Sequence, residues 1–134
     1  MPKQYINPDG LFRSVQYGFS QVVTATGTRS IYISGQTGRD AQEKISGEGD
    51  LDQQTRQALR NVETALVSAG GTPADVVALR LYIVNYHPAQ AEVISAALRD
   101  FFPAQSRPCS TWVGVASLAS PDFLIEIEAT AVVE

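Results

Sequence analysis

The chain has 134 residues, a formal charge of −4, 44% hydrophobic residues and 18% charged residues. That length predicts one domain over residues 1–134, burying roughly two thirds of its unfolded surface, and the composition excludes a disordered chain. The acidic balance and the lack of a Lys/Arg cluster argue against nucleic acid as a partner, because phosphate tracking needs a basic stripe.

One cysteine excludes an internal disulfide, and one cysteine with one histidine excludes a Cys/His zinc quartet. No apolar run reaches membrane-spanning length, and the N-terminal Met1–Pro8 segment has no apolar leader core. The expectation is a cytoplasmic protein with no membrane partner and no metal.

Residues 1–19 read as loop with a short edge strand. Ser20–Thr26 is rich in β-branched residues and reads as a strand; Gly27-Thr28 turns the chain; Arg29–Ser34 reads as a second strand, the two predicting a hairpin. Gly35 follows at a strand end, where a missing side chain permits close approach of a neighbour or ligand. Gly38–Asp50 is polar, with three glycines, and reads as a surface loop.

Asp50 is the predicted N-cap of a first helix, with Gln53 as capping partner. The helix runs from about Leu51 to Ala69, with Leu59, Val62 and Leu66 as its apolar stripe and Gly70-Gly71 as its stop. Thr72–Asp75 is a single turn, and Val77–Tyr86 a long strand. His87-Pro88 opens a second helix that reaches Phe102 before Pro103 ends it. Two strands close the chain, about Ser110–Ser117 and Phe123–Val133.

The order β-β-α-β-α-β-β predicts an α+β sandwich, a mixed sheet with two helices on one face. The other face is read as carrying Tyr32, Ser34, Tyr82, Val84, Trp112, Gly114, Glu126 and Glu128. That mixture is too apolar for open water and too polar for a dry core, so a homo-oligomer interface is expected there.

Several motifs now coincide. They are Ile33-Ser34-Gly35-Gln36, the run Gln54–Val62, Ala69-Gly70-Gly71, Val113-Gly-Val115-Ala116-Ser-Leu118 and Ile125-Glu126-Ile127-Glu128-Ala129. In this order and spacing they resemble the reactive intermediate deaminase family (RidA, YjgF-like). The resemblance covers about Gly18 to Val133. It implies a chorismate-mutase-like fold and a homotrimer with small-molecule clefts at subunit boundaries. It also implies hydrolysis of imines or enamines to a keto acid and ammonia without metal or organic cofactor. Other members are described as ribonucleases or ligand-binding proteins, so a non-catalytic metabolite-binding trimer and an endoribonuclease are the alternative readings.

The resemblance assigns roles residue by residue. Glu126 matches the family glutamate that orients or deprotonates water, against a structural glutamate held by backbone N–H groups. Ser34 and Gly35 keep the identities of substrate-contacting positions. Phe19 stands where the family has a cleft tyrosine. Ser95 and Leu98 stand at polar or aromatic helix positions. Pro108-Cys109-Ser110-Thr111 matches Pro-x-Arg-Ser/Thr, so Ser110 replaces the arginine that clamps a carboxylate. The standard 2-imino acid activity is therefore not expected. Arg107 is the candidate substitute anchor, against a solvated loop arginine. Trp112 either lines the cleft or fills the trimer core. Cys109 reads as an inert thiol.

Overall fold

The last strand of the chain, β6 (Ile125–Val133), lies inside the main sheet. In the computed structural model, which describes residues 3–134, β6 is flanked by β3 (Arg29–Gln36) and β4 (Val76–Val84), and β5 (Cys109–Val115) is the far edge. The spatial order is β3-β6-β4-β5. β6 runs antiparallel to both neighbours, whereas β4 and β5 are parallel. Parallel neighbours need a crossover, and α2 (Ala91–Phe101) supplies it.

β6 alternates without interruption. Ile125, Ile127, Ala129, Ala131 and Val133 are buried, and the residues between them are half-buried. Leu79, Leu81 and Ile83 of β4 and Ile31 and Ile33 of β3 share that buried face. Leu59, Val62 and Leu66 of α1 (Leu51–Ser68) and Ile94, Ala97 and Leu98 of α2 close over it. Each fully buried Leu or Ile contributes about 1.5–3 kcal/mol. Asp50 caps α1 through Gln53 N–H at 3.1 Å, and Gly70 ends it at φ +84°. The α+β sandwich with both helices on one face is thus the observed architecture.

Two expectations fail. Ser20–Thr26 and Arg29–Ser34 do not form a hairpin: β2 (Val22–Ala25) pairs antiparallel with β1 (Lys3–Ile6) in a separate small sheet, and β3 pairs with β6. The reason is burial. Ile31 and Ile33 need a partner whose core-facing residues match, which β6 offers; β2 is largely exposed. The Thr28 N–H donates to Val133 O at 3.1 Å, turning the chain onto β6.

The second failure concerns the phase of β5. Trp112 pairs with Leu81 and Gly114 with Ile83, so both stand on the helix-bearing face. Thr111, Val113 and Val115 take the open face beside Arg80, Tyr82 and Val84. Thr-Trp-Val-Gly-Val is apolar on both faces, so its alternation leaves the phase open; pairing with β4 decides it.

Candidate functional site

β3 leaves its ladder just before it ends. Ile33 pairs with Ala129 and Gln36 with Ile127, so three steps on β3 oppose two on β6. This bulge turns Ser34 and Gly35 toward Glu126. Glu126 lies directly over Gly35: a Cβ at Gly35 would stand 2.6 Å from Cδ and 2.7 Å from Cγ of Glu126. Ser34, Gly35 and Glu126 line a cleft of about 680 Å³. Asn61, Thr64, Ala65 and Ser68 of α1 form one wall, Gln36, Thr37, Arg39, Asp40 and Ala41 a second, and Ala119 and Phe123 a third.

The cleft's loop is anchored. Asn61 Nδ2 donates to Thr37 O at 3.0 Å and to Arg39 O at 2.8 Å. Asp40 Oδ1 accepts from the N–H groups of Gln42 and Lys44 at 2.9 and 3.0 Å. Gln54, fully buried, donates to Gly47 O and Asp122 O and accepts from Leu124 N–H at 2.9 Å. One amide therefore joins α1, the loop and the approach to β6, with both ends satisfied. The Arg39 guanidinium lies 5.2 Å from the Phe123 ring centroid, a cation–π distance.

A second hollow, about 320 Å³, opens at the opposite edge of the sheet. Phe12, Tyr17, Phe19 and Trp112 line it with Ala91, Ser95 and Ser110. Phe12 packs on Phe19 at 6.1 Å, edge to face, and Trp112 on Tyr86 at 6.4 Å. Trp112 Nε1 donates to Ser110 Oγ at 3.2 Å.

The sequence-derived site residues thus separate into two groups. Ser34, Gly35 and Glu126 share the first cleft; Phe19, Ser110 and Trp112 share the second hollow. Three residues belong to neither. Leu98 is fully buried in the core, because α2 turns it onto the sheet and Gly18 packs against its Cβ. Thr111 stands on the sheet face opposite Ser110, since successive strand residues alternate. Arg107 is drawn inward: its guanidinium donates to Val15 O at 3.3 Å and Arg99 O at 3.4 Å, tying a loop to α2 in place of anchoring a ligand.

Nearby groups on the open face are accounted for. Tyr82 donates its hydroxyl to Glu128 Oε1 at 2.5 Å, which raises the phenol's pKa; lost solvation and the charges of Glu128 and Glu126 add to this, and Arg80 opposes it. Cys109 Sγ contacts Val77 O at 3.2 Å, and burial pushes its thiol pKa up. Sequence reasoning missed Arg39, Asn61 and Phe123. Asn61 sits in the Gln54–Val62 motif, which was the available signal; Arg39 and Phe123 gave none.

Fold and cleft define a class: an α+β protein with a polar, carboxylate-bearing cleft at one sheet edge and an aromatic hollow at the other. The chain belongs to the Endoribonuclease L-PSP family, whose model matches residues 13–133; this is the YjgF or Rid group. It is 32% identical over 132 residues to the 3-aminoacrylate deaminase RutC of Acinetobacter baylyi, covering 98% of each chain. It is 30% identical over 118 residues to a 2-iminobutanoate/2-iminopropanoate deaminase of Dermatophagoides farinae, covering 87% of this chain and 86% of that one. Among solved structures it is similar to YyfB of Yersinia pestis, a Rid-family protein of unknown function, with TM-score 0.95, 41% identity and coverage of 99% and 100%. A Mycobacterium tuberculosis member of the YjgF family superposes with TM-score 0.67 at 33% identity, over 98% and 99% of the two chains. Among the described residues, no helix is long and apolar enough to cross a membrane.

Proposed function

We propose that this chain is an imine- or enamine-hydrolysing deaminase whose reaction takes place beside Glu126. The observation that carries this reading is the bulge that sets Ser34, Gly35 and Glu126 against one another in a single cleft. The relatives named as deaminases support it. Water adds to the carbon of a C=N bond. A C–O bond forms, the π pair moves to nitrogen, and the proton leaving water passes through Glu126 to that nitrogen. The carbinolamine then collapses: its hydroxyl proton passes through Glu126 to nitrogen, the C=O π bond forms as the C–N bond breaks, and a ketone and ammonia leave. Atoms balance with water as the only co-reactant, and neither metal nor organic cofactor enters the scheme. Ser34 supplies a hydroxyl for the ligand and Gly35 leaves room for the Glu126 carboxylate.

The working unit in this proposal is a cytoplasmic homotrimer of single-domain chains. Glu126 pairs across the sheet with Tyr82, on the open face, and Ser110 pairs with Leu79, on the helix face. A single chain therefore does not bring Ser110 to Glu126. A head-to-tail neighbour does so by laying its β5 edge against the β3 edge, and a closed ring of such contacts leaves neither edge free. Ser110 stands in the place of the family's arginine, so that edge offers an aromatic surface and no carboxylate clamp.

The test is hydrolysis of imines released in situ by a dehydratase, followed as ammonia or keto acid, with light scattering in parallel. The expected result is a mass near three chains and a rate lost by about 10²–10³-fold in Glu126→Gln without loss of assembly. A monomer would overturn the interfacial arrangement. Saturable ligand binding without turnover in the intact trimer would replace the enzyme by a metabolite-binding protein.

A further inference from the structure

We infer that Arg39 binds the carboxylate of the substrate in the Glu126 cleft. The ligand class is then a small monocarboxylate whose imine or enamine carbon adjoins that carboxylate. This rests on the reading of the Glu126 cleft as the reaction site.

Arg39 is the one basic residue lining that cleft among the described residues. It follows Gly35 by four positions, on the stretch that leaves the bulge, and its placement is built. Asn61 holds the carbonyls of Thr37 and Arg39, and Arg39 forms a bridge with Ile45. The guanidinium lies over the ring of Phe123, a residue that is itself 5% exposed. The charge is hardly spent. Its ion pair with Glu43 spans 3.4 Å, and the two side chains are 48% and 80% exposed, so solvent screens it. One N–H contact goes to Glu43, and a guanidinium has five to offer.

A planar fork of donors matches a carboxylate bidentately. Charge narrows the class further. Asp40 and Glu126 also line the cleft, and both repel a dianion such as phosphate more than a monocarboxylate. Asp40 Oδ1 is already occupied by two backbone N–H groups. The aromatic hollow at the other edge has no basic residue in its lining, so it does not supply this anchor. Arg39 would thus hold the acid from the β3 edge, where the family pattern clamps it from the β5 edge.

The probe is 2-oxobutanoate, the hydrolysis product of the substrate named for one relative. Its neutral amide, 2-oxobutanamide, is the control. Calorimetry or NMR titration is run on wild type, Arg39→Ala, Arg39→Lys and Glu126→Gln, each checked for thermal unfolding and assembly. Arg39→Ala should raise the Kd for 2-oxobutanoate roughly 10- to 100-fold and raise KM for the imino acid more than it lowers kcat. Binding of the amide should not change. Arg39→Lys should recover part of the loss by restoring charge without the fork. Glu126→Gln should keep 2-oxobutanoate binding and lose hydrolysis.

Equal 2-oxobutanoate affinity in wild type and a folded Arg39→Ala or Arg39→Lys overturns the inference. If Glu126→Gln has lost hydrolysis in the same series, the cleft reading stands and only the role of Arg39 falls. If Glu126→Gln hydrolyses imines as wild type does, the cleft reading fails by itself, and the Arg39 arms then report on an anion site unconnected to turnover, which also overturns the inference as stated.

Discussion

Gly35 gives up its side-chain volume to Glu126. The carboxylate arm of Glu126 occupies the space a Cβ on Gly35 would fill, 2.6–2.7 Å from Cδ and Cγ. The position and direction of the carboxylate therefore depend on the absence of one methyl group on the neighbouring strand.

Gly35→Ala follows directly. The new methyl must displace Glu126 from the bulge, an overpacking cost of about 1–3 kcal/mol. Imine hydrolysis should fall by about 10²-fold, because the carboxylate leaves its working position. Thermal unfolding and steady-state kinetics on the same preparation check both. Unchanged stability and rate would show that Glu126 does not need its place over Gly35.

Gln54→Ala removes the amide that joins α1 to Gly47, Asp122 and Leu124. It leaves part-buried backbone groups without their side-chain partner and opens a void where the buried amide stood. The expected cost is about 2–4 kcal/mol, read by urea unfolding. Hydrogen exchange at Leu124 should rise before that at the centre of β6. A loss below about 0.5 kcal/mol would mean that water replaces the amide fully.

The Tyr82 phenol should ionise above its ordinary value of 10.0, because its hydrogen bond to Glu128 holds the neutral form. The folded-state pKa is raised, so this contribution to stability is complete below pH 10 and is lost as pH rises through the folded-state value. Absorbance at 295 nm measures the titration. Glu128→Gln should move it down toward that of free tyrosine; no movement would remove Glu128 as the cause.

Cys109 should react slowly with a disulfide reagent. Burial raises its thiol pKa, and Sγ is engaged with Val77 O at 3.2 Å. At pH 8, labelling should be at least about tenfold slower in the folded protein than in urea. Equal rates would mark the thiol as open and activated.

The amino-acid sequence by itself determined the elements and most of their faces. The strict alternation of Ile125–Val133 admits one register on a buried face, and the Asp50 cap, the Leu59–Val62–Leu66 stripe and Gly70 bound α1. These signals are local, set by neighbours within one or two turns or a few strand residues. The motif Ser34-Gly35 and Glu126 were legible as well, through their resemblance to a family pattern. Only the tertiary structure decided which strands meet. β2 left its expected hairpin because β6 buries Ile31 and Ile33 better, and β5 took its phase from Leu81 and Ile83 of β4. That phase sent Ser110 and Trp112 to one face and Thr111 to the other. Arg39 is held at the cleft by long-range partners: Asn61, 22 residues away, on its carbonyl, and the Phe123 ring under its guanidinium. Pairing partner, strand phase and loop placement are set by long-range burial and hydrogen bonding, and a pattern of near neighbours carries no record of them.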